Sequence, residues 1–358
     1  MGALSPGGHR GPPRQSDFIP TNWLFIDIFI SKNFMNHAEQ GRCHLSVTVI
    51  IVNYNSGKLL TRCLACLEQQ TVTPERVMVV DNTGGDRPGD TLDTSLNITV
   101  IRPGSNIGFA AGNNLALAQC HTPFVALLNP DAFPEPDWLE KLLAAADQYP
   151  DYVMFGSRLV SAEDPALLDG DGDCYHVSGA VWREGHMRPA HAVGAPREVF
   201  SPCAAAALYQ TRAVRDAGGF DADFFCYLED VDLGFRLRLM GHRCLQVPEA
   251  LVYHMGSATS GGRRGEFAVY HGHRNLVWVY FKNMPSGLFW LFLPLHVAMN
   301  LASLALGFYR GHGRAMTRAK IDAAAGLLNA WRKRTRIQCS RTVSTATILK
   351  ILDKRFIR

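Results

Sequence analysis

Apolar runs of two kinds alternate along residues 46–150. The short runs are rich in β-branched residues and read as buried strands: SVTVIIVN (Ser46–Asn53), RVMVVD (Arg76–Asp81), NITVIR (Asn97–Arg102) and FVALLN (Phe124–Asn129). The longer runs repeat with a helical period. Leu59, Leu60, Cys63, Leu64 and Leu67 form one stripe, and helices are also predicted near Ala111–Ala118 and over Trp138–Asp147. Strands alternating with helices predict an α/β fold, a mostly parallel, doubly wound sheet with helices on both faces. Right-handed crossovers would collect the carboxyl ends of its strands on one edge, where such sheets bind ligands. Three of these strands end in polar residues: Asn53–Tyr54–Asn55, Asp81 and Asn129–Pro130–Asp131. One such ending is ordinary turn chemistry, but three on one edge point to a site. Pro134 and Pro136 then predict no early return to regular pairing, because proline lacks the N–H that a ladder needs.

The second half is less periodic. In Gly218–Cys244 (GGFDADFFCYLEDVDLGFRLRLMGHRC), a helix is predicted from about Leu228, with Leu233, Leu237 and Met240 on its packed side. Glu229, Asp230 and Asp232 crowd its first turn, where acids suit the helix dipole. Asp232 also stands four residues before Arg236, the spacing of a helical ion pair. That pairing accounts for Asp232 but leaves Glu229 and Asp230, which follow the aromatic stretch FFCY, without a structural reason. A short strand is expected to end at His254. In Leu167–Gly179, Asp169, Asp171 and Asp173 alternate like the start of a calcium loop. Cys174 and Ala180 stand where that loop needs Gly and Glu, so a flexible loop is expected instead.

Gly287–Tyr309 is almost wholly apolar and long enough to span a bilayer. Pro294, His296 and Asn300 interrupt it. Eight basic residues follow: Arg310, Arg314, Arg318, Lys320, Arg332, Lys333, Arg334 and Arg336. A span would carry that charge across the membrane, against the positive-inside tendency. The segment is therefore expected to be in-plane or re-entrant, with its basic tail facing anionic lipid.

Charge and cysteine usage narrow the class. A net charge of +4 over 358 residues implies no nucleic-acid partner. Nine cysteines without a disulfide-like spacing indicate a reducing compartment. Cys63 and Cys66 form a CxxC inside the helical stripe, so packing is expected of them, not zinc or redox work. Residues 1–44 begin rich in Gly, Pro and Arg and read as a disordered or dispensable extension. Met35 is then the expected start, with neither a span nor a cleavable signal before it.

Six segments in order carry a resemblance: VTVIIVNYNSGKLLTRCLACLEQQT, VMVVDN, SNIGFAAGNN, LLNPDA, GGFDADFFCYLEDVDLGFRLRLMG and VYHMGSAT. Over about residues 45–283 the chain resembles family 2 glycosyltransferases, nearest their bacterial rhamnosyltransferase-like branch. The resemblance implies a GT-A fold with a nucleotide-sugar half (45–150), an acceptor half (151–283) and a helical, membrane-associated tail (284–358). It implies inverting transfer of a sugar, rhamnose from dTDP-rhamnose or another hexose from a UDP-sugar, to a lipid-linked saccharide of the cell envelope. The place implied is the cytoplasmic face of the bacterial inner membrane. By matching position, Tyr54 and Asp81 contact the nucleoside, and Asn106, Gly108, Asn114 and Asn129 border the donor. Asp131 and His254 hold a divalent metal, Mn²⁺ or Mg²⁺, and Asp230 is the catalytic base. Glu229 and Cys203 fall on the acceptor side. One departure stands out. Asn129 replaces the first acid of the DxD-type motif, so strict metal dependence is left open.

Two readings of other classes stay open. Asp81 ends a strand as the ribose-binding acid of a dinucleotide enzyme does, but NYNSGK lacks the GxGxxG of a nicotinamide oxidoreductase. Asn129 keeps a non-catalytic nucleotide-sugar-binding protein in view. Nucleotide preference separates the first reading, and donor turnover the second.

Overall fold

The structure, a computed structural model, describes residues 45–84, 94–190, 193–256 and 265–355. The proposed extension and start at Met35 lie outside the described residues. Ser46–Arg358 form one compact unit.

β-Branched, near-continuous apolar chemistry makes the first strands, and both their faces are covered. β1 (Val47–Asn53) is buried along its whole length and pairs in parallel with β2 (Arg76–Asp81) and β4 (Phe124–Leu128). β3 (Ile98–Ile101) extends the parallel set beside β2. Helix α1 (Lys58–Glu68) turns Leu60, Cys63, Leu64 and Leu67 inward, so the CxxC packs as expected, with Cys63 buried and both thiols free. Helix α2 (Gly108–Gln119) joins β3 to β4, and α3 (Trp138–Gln148) follows with Trp138, Leu139, Leu142 and Leu143 buried.

Beyond β4 the sheet changes direction. β11 (Ala206–Gln210) runs antiparallel to β4 and to β6 (Tyr152–Ser161). β12 (Arg243–His254) then runs parallel to β6, with β10 (Arg197–Glu198) at the edge. The strand order is β10-β12-β6-β11-β4-β1-β2-β3. This mostly parallel sheet with helices on both faces is the architecture expected from the sequence.

Three expectations change. Strand pairing does resume early. β5 (Ala132–Pro134) pairs antiparallel with the end of β12, in the register Ala132 with His254, Phe133 with Tyr253 and Pro134 with Val252. Pro134 closes this three-residue ribbon, where its missing N–H leaves no central ladder bond unmade. Nor is Leu167–Gly179 a flexible loop. β7 (Leu168–Gly170) joins the sheet, β8 (Asp173–Tyr175) pairs with β9 (Val181–Arg183), and Asp169, Asp171 and Asp173 are all buried. Each acid has its own partners there, and alternating acids carry no signal that would reveal this. The strand ending at His254 is also long, with twelve residues and an irregularity between Val247 and Leu251.

The C-terminal segment is built into the unit. α6 (Glu266–Asn283) packs on α5 (Glu229–Leu239), the helix that carries the acidic first turn. α7 (Ser286–Tyr309), α8 (Gly313–Ala325), α9 (Leu327–Cys339) and α10 (Thr345–Ile351) complete it. Phe289, Ile348 and Leu352 share an apolar cluster with Tyr175, Phe200, Phe224, Phe235 and Tyr280. Asp353 pairs its backbone with Tyr175 and Val177 in the region of the β8–β9 hairpin.

Candidate active site

The carboxyl ends of β1, β2 and β4 do meet on one edge. β1 and β2 are in register through Asn53 and Asp81, and Asn53 Nδ2 donates to Asp81 Oδ1 at 3.0 Å. Burial alone would raise the Asp81 carboxyl. Hydrogen bonds from Thr83 and Asn53, with Arg102 nearby, hold it below its ordinary value. Asp81 thus closes the strand-end corner, while its neighbour Asn82 lines the adjoining cleft and donates to the Gly108 carbonyl at 3.0 Å.

That cleft has a volume of about 670 Å³. Its walls bring together Tyr54, Asn106, Gly108, Asn129, Asp131, Cys203, Glu229, Asp230 and His254 from positions scattered over 200 residues of sequence. Asn114 lies elsewhere. Its amide clamps the Phe220 peptide, donating to the carbonyl at 2.7 Å and accepting from the N–H at 2.8 Å. Asn106 Oδ1 accepts from the Gly108 N–H at 3.0 Å. Gly108 has φ of +86°, and a Cβ there would meet Phe225 at 2.6 Å, so only glycine fits.

The β5–β12 ribbon decides the floor. It sets His254 opposite Ala132, the residue after Asp131, and the Met255 N–H donates to the Asp131 carbonyl at 3.1 Å. His254 Nδ1 is held by Asp169 Oδ2 at 2.8 Å. Its Nε2 makes no hydrogen bond, although the side chain is only 3% exposed, and it faces Asp131 Oδ1 at 3.4 Å. Burial would lower the imidazole pKa, but the Asp131 and Asp169 carboxylates outweigh it and raise it. Metal-binding histidines are held in the same way: a carboxylate fixes one imidazole nitrogen and so orients the other. Among the described residues no group of three His, Cys, Asp or Glu side chains forms a complete metal site. A carboxylate and an imidazole beside a cleft still fit a divalent cation that takes its remaining ligands from substrate phosphates and water.

The opposite wall carries the acids. Asp230 Oδ2 accepts from the Ala204 N–H at 3.0 Å and Oδ1 from the Val231 N–H at 2.8 Å. Glu229 is buried, and its Oε2 has no hydrogen-bond partner. Burial first, then repulsion from Asp230 and Asp232, pushes its carboxyl well above the usual range. The charged form of Glu229 is therefore disfavoured, while Asp230 has both carboxylate oxygens engaged by backbone N–H groups at the cleft wall. The Cys203 thiol is buried and pushed up, which keeps it from nucleophilic work.

Asp232 pairs with Arg236 at 2.9 Å as its spacing predicts, but not on the surface. It is fully buried, and Lys282 Nζ lies 2.8 Å from its other oxygen. Sequence reasoning missed Arg183, which lines the cleft and binds Asp169 Oδ2 at 2.6 Å. It sits in a three-residue strand of an irregular hairpin, with no motif around it.

Residues 48–216 match the model of the glycosyl transferase family 2. The chain is 27% identical over 294 residues to N-acetylglucosaminyl-diphospho-decaprenol L-rhamnosyltransferase of Mycobacterium tuberculosis, covering 72% of this chain and 90% of that one. Residues 48–216 are a glycosyltransferase family 2 region. The chain is also 33% identical over 218 residues to the pre-mycofactocin glycosyltransferase of M. tuberculosis, of which it spans 43%. Among solved structures it shares its fold with GalNAc-T7 bound to UDP, GalNAc and Mn²⁺ (TM-score 0.54, 13% identity, 68% of this chain and 48% of that one). It also shares it with S. aureus TarS 1-349 (TM-score 0.52, 19% identity, 82% and 83%). The GT-A fold expected from the sequence is the fold found.

Proposed function

We propose that this glycosyltransferase moves a sugar, rhamnose in our reading, from a nucleotide-diphosphate donor to a hydroxyl of a lipid-linked saccharide, with inversion. One observation carries the reading. A single cleft holds the Asp131–His254 pair on its floor below the strand ends and the Asp230 carboxyl group on the facing wall. The name of the 27% identical relative supports a rhamnosyl donor and a polyprenyl-diphosphate acceptor.

In this reading Tyr54 and the Asn53–Asp81 corner take the nucleoside, and Asn82, Asn106, Gly108 and Asn129 border the donor. Asp131 and His254 would hold Mn²⁺ or Mg²⁺, which when bound stabilises charge developing on the leaving diphosphate. Arg183 adds fixed positive charge to the same cleft. Asp230 takes the proton of the acceptor hydroxyl as that oxygen attacks the anomeric carbon from the face opposite the diphosphate. One displacement inverts the centre, so no covalent nucleophile is needed. Burial disfavours the charged form of Glu229, which leaves the base role to Asp230. Nucleotide release from a panel of dTDP-, UDP- and GDP-sugars, with and without Mn²⁺, tests the reading. Turnover of none of them overturns it.

The same proposal places the enzyme on a membrane surface, at the cytoplasmic face. The outward side of α7 presents Trp290, Leu291, Leu295, Val297, Leu301, Leu306, Phe308 and Tyr309, all exposed. Its inward side is pinned at mid-length. His296 Nδ1 bonds the Ser178 carbonyl at 2.7 Å, and Lys320 Nζ reaches Asn300 Oδ1 and the His273 carbonyl. A helix held this way lies on the globular unit and offers one apolar face, which suits in-plane docking. Arg310, Arg314, Arg318, Arg332 and Arg336 are exposed for anionic headgroups, whereas Lys320, Lys333 and Arg334 turn inward to polar partners. Removing residues 284–358 would strip Phe289, Ile348 and Leu352 from the core cluster, so point charges are the cleaner probe. Trp290→Glu with Leu301→Glu should abolish flotation with anionic liposomes. Flotation equal to the parent protein refutes docking by this face.

A further inference from the structure

Four residues, Phe225–Leu228, join the 3₁₀ turn Ala222–Phe224 to helix α5. Three of the four are non-glycine residues with positive φ: Phe225 at 63°, Tyr227 at 69° and Leu228 at 65°. The left-handed region is unfavourable for L residues with bulky side chains, and such strain persists only where the surroundings impose it. α5 starts at Glu229, so this loop sets the direction from which Glu229 and Asp230 enter the cleft.

A buried amide on α6 imposes the loop. Asn275 is 0% exposed. Its Nδ2 lies 3.0 Å from the Phe224 carbonyl, 2.9 Å from that of Cys226 and 2.7 Å from that of Tyr227. Two hydrogens thus serve three acceptors, two on the strained segment and one on the turn residue that leads into it. The amide cannot turn over, because Oδ1 accepts from Arg274 Nε at 2.9 Å. Arg274 Nη2 also donates to the Asp223 and Phe224 carbonyls at 3.0 and 2.8 Å. One turn before Asn275, His271 stacks on the Phe225 ring at 5.4 Å between centroids. On its far side the loop is tied by the Ala110 N–H, which donates to the Phe225 carbonyl at 3.2 Å. A buried helix position needs no polar side chain, and burying an amide is unfavourable without partners. Here every partner of the amide nitrogen belongs to the loop that leads to Asp230 or to the turn residue just before it.

We propose that Asn275 is a positioning residue for the transfer reaction. It holds Phe225–Leu228 in the left-handed form so that Asp230 meets the Ala204 N–H and faces the cleft. Asn275 is not among the residues lining the cleft and acts only through the loop. The inference rests on Asp230 as the base.

The test uses the full chain and reads kcat of sugar transfer per folded molecule, nucleotide Kd by calorimetry, and Tm. Asn275→Ala should lower kcat by up to about 10²-fold, the scale of a small displacement of a catalytic group, with nucleotide Kd nearly unchanged. Adding Leu228→Gly, which is free at positive φ, should restore much of that kcat while Tm stays low. If Asn275→Ala does not fold, Asn275→Ser keeps one donor and is read in the same way, with a smaller loss. Parental kcat per folded molecule, with only Tm lowered, makes Asn275 a packing residue and overturns the proposal. So does a loss of kcat that Leu228→Gly deepens instead of relieving. A parent protein that transfers no sugar overturns the underlying reading of the site.

Discussion

Two networks of buried charge flank helix α5, and they differ in one respect. In the sealed network, Lys282 binds both Asp221 and Asp232, Arg236 binds Asp232, and Lys333 reaches Asp221 and Asp223. Each buried carboxylate there has a cation, and the group ties α5 to α6 and α9. In the cleft network, Arg183 binds Asp169, Asp169 holds His254 Nδ1, and His254 Nε2 meets Asp131 at 3.4 Å where both border the cleft. Both networks are buried and both shift pKa values. Burial and pairing therefore do not mark a site. A carboxylate–imidazole pair that borders a cleft does, because its open side can take a further ligand.

The contrast predicts which variants cost rate and which cost stability. The largest effect belongs to the wall that faces the cleft network. Asp230→Asn should lower single-turnover transfer by about 10²–10⁴, the usual range for a lost general base, with nucleotide affinity kept. Glu229→Gln should keep most of the rate, because burial and the neighbouring acids already disfavour the charged form of Glu229. A reversal of these two results moves the base to Glu229.

In the sealed network, Lys282→Ala leaves Asp232 and Asp221 short of a counter-charge in a dry site. Urea denaturation should show a loss of about 3–5 kcal/mol, the cost of breaking a buried pair. A loss below about 1 kcal/mol would mean that the pair behaves as a surface one.

Asp131→Ala should abolish Mn²⁺-dependent tightening of nucleotide diphosphate binding, and His254→Ala should weaken it less, since imidazole brings no charge. Calorimetry with and without Mn²⁺ reads both. Unchanged metal dependence in Asp131→Ala would reduce the strand-tip acid to a turn residue.

The sealed network also has a pH signature. Burial alone would raise the Asp221 carboxyl, but Lys282 and Lys333 bring it down to about 2, and Lys282 and Arg236 hold Asp232 below its ordinary value. Because the folded values lie below the unfolded ones, this stability is complete above the ordinary aspartate range, near pH 4. It is lost as pH falls toward about 2. Denaturation midpoints measured over that window should fall, and Asp232→Asn should flatten the slope. The smallest effect is expected of Lys333→Ala. Its side chain is 32% exposed, so a loss under about 1 kcal/mol is expected from the same measurement.

The regular part of the chain was legible because its signals are local. Near-continuous apolar runs in Val47–Asn53 and Phe124–Leu128 and the period-3.6 stripe in Lys58–Glu68 place strands and helices, and right-handed crossovers collect the polar ends of β1, β2 and β4. The acids Asp131 and Asp230 and the imidazole of His254 could be named from their positions at element ends and from the family resemblance.

The sequence alone determined the sheet, its ligand-binding edge and the residue types available for chemistry, because each follows from short-range pattern and strand-end geometry. Tertiary structure alone decided which of them meet. Asp131 and His254 are neighbours through a three-residue ribbon that proline seemed to forbid. Asp169 and Arg183 come from a hairpin that looked like a loop, and Asn114 turns to Phe220 instead of the cleft. Asp232, expected in an ordinary helical pair, is sealed in by Lys282 fifty residues later in the chain. These outcomes depend on long-range pairing, on left-handed backbone at Phe225–Leu228 and on which buried charges find partners. None of those is encoded in the spacing of residues along the chain.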